Sequence, residues 1–174
     1  EDMEKMAAML PSEHPYLRSS PFEIWKNRIP WLMLLMISAT LTGLVITSFE
    51  DALGVLPCLT AFIPMLMDTG GNCGSQSSTL IIRGIALNQV TFHDFFRVIW
   101  KEFRVSLIVG VVLAVANGLR IYLTYQQAGM AVVIALSLVA TVISAKLLGC
   151  ILPMFAKKIG LDPALMASPL ITTI

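Results

Sequence analysis

Residues 61–84, AFIPMLMDTGGNCGSQSSTLIIRG, begin and end like a membrane helix and carry a dense polar centre, Asp68 to Thr79. Unpaired polar atoms are expensive in hydrocarbon, so this run needs a reason. Asp68, Asn72, Ser75 and Thr79 follow one another at steps of four, three and four, which places them on one stripe of a helix. Gly71 falls on the same stripe and Gln76 beside it, while Leu66, Cys73 and Leu80 are assigned to the opposite face. Such a stripe is hidden from lipid and faces either another helix or water.

Gly70, Gly71 and Gly74 admit two readings. Small residues let helices approach closely in membranes. Alternatively, glycines leave backbone carbonyls free to line a pore, since irregular backbone at membrane depth is tolerated only where protein or water covers it. Close approach explains glycines but not the neighbouring Asp68, Asn72 and Gln76. An ionisable residue within a span is by default a functional site, which favours a pathway. Its ligands would be a carboxylate, carboxamides, hydroxyls and carbonyls. These hard oxygens suit Mg²⁺ or Ca²⁺, not zinc or copper, and a largely hydrated ion suits so few charges. The stripe alone does not choose between Mg²⁺ and Ca²⁺.

The rest of the chain fits a bilayer environment. Of 174 residues, 56% are hydrophobic and 13% charged, about half the charge of a typical soluble domain; the mean hydropathy is +0.79. No basic tract points to nucleic acid. Cys58, Cys73 and Cys150 form no CxxC or zinc pattern, and His14 and His93 have no partner at ligand spacing. Both histidines fall outside the spans, which leaves an intramembrane enzyme without a catalytic set, so no enzymatic activity is expected.

Residues 1–20 read as a cytosolic amphipathic connecting segment, with Met3, Met6, Ala7 and Leu10 on one face and Pro11, Pro15 and Pro21 ending it. With no initiator Met and no signal peptide, an upstream region is expected. Residues 21–174 read as one transmembrane domain. In PFEIWKNRIP (21–30), Trp25, Lys26 and Arg28 suggest a membrane interface. The spans are then 31–48, about 55–85, about 105–124 and about 130–155, and a fifth helix opens at Asp162-Pro163, an N-cap followed by proline. Lys26/Arg28, the charged stretch Arg83–Arg104 and Lys157/Lys158 alternate with the acidic Glu50/Asp51 loop. By the positive-inside rule the N-terminus is cytoplasmic in a multi-pass cell-membrane protein. Lys146, deep in the fourth span, either snorkels to the cytoplasmic interface or pairs with a carboxylate; its distance from the loop favours snorkelling.

RIPWLMLLMISATLTGLVITSFE (28–50), FIPMLMDTGGNCGSQSSTLIIRG (62–84), KLLGCILPMF (146–155) and GLDPALMASPLITT (160–173) resemble the membrane domain of the MgtE magnesium channel/transporter family, to which the vertebrate SLC41 carriers are related. The resemblance covers nearly the whole chain. It implies an all-α, five-helix transmembrane domain, with its fifth helix truncated here, that forms a homodimer in the lipid bilayer. The pore lies at the dimer interface, between the second and fifth helices. It also implies regulatory cytosolic domains upstream, with residues 1–10 similar to the end of a plug helix. Carried over, Gly71, Asn72, Ser75 and Thr79 match pore-facing positions of the second helix, and Ser168 and Thr172 match those of the fifth. Asp68 stands where a small residue is expected, and the family's fifth-helix pore Asp would fall just beyond Ile174. The implied cargo is Mg²⁺. The expected function is a Mg²⁺ channel driven by membrane potential, with a cation-coupled carrier or a packing scaffold as alternatives.

Overall fold

A computed structural model of the chain describes residues 16–54 and 57–166, with side chains through Ala164. Most of the connecting segment 1–20 and the stretch beyond Met166, where a fifth helix with Ser168 and Thr172 is expected, lie outside the described residues. The described residues form helices and the turns that join them, with no strand among them. Four long helices dominate: α1 (Pro21–Ser48), α2 (Ile63–Ala86), α3 (Phe95–Tyr125) and α4 (Ala128–Lys158). The helical segment Phe92–Tyr125 that contains α3, together with α1 and α4, is long and apolar enough to cross a membrane. The 24-residue α2 is long enough as well, but its polar centre dilutes its apolarity.

The first helix starts ten residues earlier than the sequence suggests. Ser20 caps it, its Oγ accepting from the Glu23 N–H at 3.2 Å, and Pro21 occupies the first turn, where its missing N–H costs nothing. The interfacial stretch 21–30 is therefore part of α1, with Pro30 inside it. Within the span, Thr40, Thr42 and Thr47 return their hydroxyls to the carbonyls of Met36, Ser38 and Gly43, which hides those polar atoms from lipid. None of α1's residues is buried.

A one-turn helix (Glu50–Gly54) and a 3-10 turn (Pro57–Phe62) lead into α2. The polar run does not interrupt α2, which is continuous through Gly70, Gly71 and Gly74. Each helical glycine costs up to about 1 kcal/mol relative to alanine, but a broken backbone in hydrocarbon costs several per exposed group. The helix therefore persists, and the reading in which glycines free carbonyls for a pore is corrected: they serve close packing.

The ten residues before the expected third span, Phe95 to Arg104, most of them charged or aromatic, form the first turns of α3, continuous with it. Gln126, left-handed at φ 54°, ends α3 and turns the chain into α4. At the far end, Asp162 Oδ1 accepts from the Ala164 N–H at 2.9 Å, as an N-cap should, and a 3-10 turn (Pro163–Met166) follows.

Helix α4 is central and packs on both α2 and α3. Three apolar clusters succeed one another along it. Phe62, Ile121, Met130 and Ile134 form the first, Cys73, Leu138 and Val142 the second, and Ile81, Ile85, Cys150 and Met154 the third. The middle of α4 meets the glycine face of α2. A Cβ on Gly70 would lie 2.8 Å from Thr141 Cγ2, and one on Gly149 would run into the carbonyl of Gly74. The two backbones thus approach as small residues allow.

Candidate functional site

The glycine face fixes which way the rest of α2 points. Gly70, Gly71, Cys73, Gly74, Ser77, Ser78 and Ile81 are buried toward the bundle. Asp68, Asn72, Gln76, Thr79 and Leu80 are exposed on the other side, with Ser75 half-buried between the two. Asn72, Ser75, Gln76, Thr79 and Leu80 together line an open groove of about 770 Å³.

Four of the sequence-derived site residues, Asn72, Ser75, Gln76 and Thr79, therefore meet along one groove. Asp68 is exposed one turn before Asn72 on the same helix but does not line the groove. Gly71 sits at the buried edge, turned toward the bundle. Leu80, expected on the opposite face, is 63% exposed and belongs to the groove wall. The reason is that the buried face centres on Gly74 and Ser77, a little round from where the polar spacing alone put it.

Chemically the groove offers carboxamides and hydroxyls. Among the described residues, no three His, Cys, Asp or Glu side chains converge to hold a metal. Neutral oxygens of this kind can accept the water shell of a hard cation without stripping it, and they hold it weakly enough to let it leave.

Behind the groove lies a group that the sequence reading missed. Lys146 Nζ is 2.7 Å from Glu102 Oε1, with side chains 6% and 15% exposed. Ser77 joins them: its Oγ donates to Glu102 Oε1 at 2.6 Å and accepts from Lys146 Nζ at 2.9 Å. The preference for snorkelling is thus corrected. Lys146 turns inward because α3 presents a carboxylate and α2 a hydroxyl at the same depth, which offset much of the cost of burying its charge. Glu102 was visible only as one charge in the charged stretch Arg83–Arg104, and nothing local in the sequence pairs residues 102 and 146.

Comparison with known proteins gives the family. A family model described as a divalent cation transporter, MgtE, matches residues 63–174. The "Magnesium transporter MgtE" of Thermus thermophilus is 34% identical over 174 residues, which is all of this chain and 38% of the relative. The protein of the same name from Bacillus subtilis is 36% identical over 148 residues, 85% of this chain and 33% of the relative. That of Enterococcus faecalis is 28% identical over 155 residues. The chain spans about a third of the length of these relatives. The matched family is one of transporters, not enzymes, and the chain belongs to it: this is a membrane domain of the MgtE divalent cation transporter family.

Proposed function

We propose that the groove on α2 is one wall of a cation pathway and that Mg²⁺ is its cargo. The observation that carries this is the exposure of Asn72, Ser75, Gln76 and Thr79 on one face of a helix whose other face is buried. Carboxamides are not left facing hydrocarbon. A second wall must cover them, and water or an ion must occupy the space between.

A second copy of the chain supplies that wall. Each copy would present its own α2 stripe, completed by the fifth helix with Ser168 and Thr172, to form a pore at a homodimer interface in the bilayer. Gly71 gives room at the rim, and Asp68 lies toward the mouth, where its carboxylate would raise the local cation concentration. With the N-terminus cytoplasmic, Asp68 faces the outer side and inward flux follows the membrane potential. Weak, water-mediated holding favours a channel over a coupled carrier. Cytosolic domains upstream would regulate it. The names of the relatives, all magnesium transporters, support the choice of ion.

The test is Mg²⁺ entry into liposomes that hold the protein and a trapped Mg²⁺-sensitive dye, under an imposed potential. Asn72→Leu should abolish entry while the protein stays folded and dimeric. Equal entry in both proteins would make the stripe helix packing and end this reading. Entry that requires a Na⁺ gradient would favour the carrier.

A further inference from the structure

Helix α2 meets α4 through glycines. Gly70 lies against Thr141 and Gly74 against Gly149. At that crossing the glycines allow close approach but offer no side chains to interdigitate, and the contacts that Cys73, Ile81 and Ile85 make with α4 on either side are apolar and therefore non-directional. Yet the groove works only if α2 presents one particular face. Something directional must set that rotation.

We infer that Ser77, Glu102 and Lys146 act as one positioning unit that fixes the rotation of α2 and so aims the Asn72–Thr79 stripe, an inference that rests on the proposed pathway. Three observations carry it. Ser77 is one of the few polar side chains on the buried face of α2, 1% exposed. It lies about 140–160° round the helix from Asn72 and Thr79, at ~100° per residue, so it is anchored where the stripe is not. And it is held from two directions, by a carboxylate on α3 at 2.6 Å and an ammonium on α4 at 2.9 Å.

The hydroxyl has one proton. With Glu102 Oε1 accepting that proton and Lys146 donating to the oxygen, Ser77 Oγ has only one good orientation. Its contact with the Cys73 carbonyl, at 3.3 Å, is longer than either. A turn of α2 that moved Ser77 away would leave Lys146 and Glu102 paired to each other but short of a partner, with the 6% exposed lysine poorly placed to take one from water. Buried polar groups of this kind have their best-attested role in fixing register. None of the three touches the groove, so they are positioning residues that act through α2.

The test reads rotation and transport separately. In a Cys58→Ser background, nitroxide labels at Leu80→Cys on α2 and Leu136→Cys on α4, both exposed positions, report an interhelical distance by pulsed electron resonance. Mg²⁺ entry into liposomes is measured beside it, without labels. Ser77→Ala keeps the ion pair between α3 and α4 and removes only its tie to α2. We expect it to shift and broaden the distance and to reduce entry severalfold, with thermal unfolding near that of the parent. Glu102→Ala should do the same more strongly. Glu102→Gln combined with Lys146→Met removes both charges and keeps an acceptor for Ser77; it should restore the parental distance and most of the entry lost in Glu102→Ala.

A parental distance and parental entry in Ser77→Ala would overturn the inference, and that variant decides the matter even if Glu102→Ala does not fold. A distance that shifts in Ser77→Ala while Asn72→Leu leaves entry unchanged would sink the pathway and not the positioning.

Discussion

Gly149 and Gly74 meet backbone to backbone: a Cβ on Gly149 would collide with the Gly74 carbonyl. The contact joins the centre of α4 to the glycine face of α2, so Gly149→Ala can be accommodated only by parting the two helices. Overpacking of this kind costs about 1–3 kcal/mol or more. Gly118→Ala is the control, since its Cβ would stop 3.4 Å from the Ala135 Cβ and the neighbour need give only slightly. Thermal unfolding in detergent should therefore fall clearly for Gly149→Ala and little for Gly118→Ala. Equal shifts would mean that the α2–α4 crossing is looser than described.

Lys146→Met alone leaves the Glu102 carboxylate buried without its cation. Breaking one side of a buried pair costs roughly 3–5 kcal/mol, whereas replacing both sides with apolar groups is often close to neutral. Lys146→Met should be strongly destabilising, and Lys146→Met with Glu102→Leu should recover most of that loss. A Lys146→Met protein of parental stability would show that the lysine reaches the interface after all.

The thiols should separate by reactivity. Cys58 is exposed, whereas Cys73 and Cys150 are buried among Leu138, Val142, Ile81 and Met154. A charged maleimide added to the folded protein should label one cysteine, and Cys58→Ser should remove that labelling. Rapid modification of Cys73 would place water on the wrong side of α2.

Within the groove, Gln76→Leu should resemble Asn72→Leu, each lowering Mg²⁺ entry by at least about tenfold, the factor that ~1.4 kcal/mol of barrier produces. Val112→Ala, on the exposed apolar side of α3, should leave entry unchanged. The comparison is made in liposomes at matched protein density, and a similar fall in all three would point to general damage.

Gly160 adopts φ 81° between α4 and the turn at Pro163, with open space around it. Gly160→Ala meets no neighbour, so its cost is conformational alone, about 1 kcal/mol. A small fall in unfolding temperature should appear without any change in the α2–α4 distance.

The helical fold, the long helices from α1 to α4 and the polar face of α2 were legible in the sequence, because hydropathy and a three-four spacing are local signals. The start of α1 was placed late, since an interfacial composition and Pro30 hid a cap at Ser20. The glycines of α2 were ambiguous for a different reason: whether a glycine opens the backbone or admits a neighbour depends on what lies opposite, here Thr141 and Gly149. The same is true of Lys146. Its partners, Glu102 and Ser77, are far away in the chain and come together only because α4 runs between α2 and α3.

The lack of any buried residue along α1 bears on how the chain enters the bilayer. A helix as apolar as α1, whose surface the other described helices leave largely uncovered, can leave the insertion machinery alone and early. Helix α2, with its polar centre, has no such independence: its glycine face and Ser77 find their complement only when α4 has been synthesised. Membrane entry should thus be staggered, α1 departing first and α2 waiting near the translocon for a helix made two spans later.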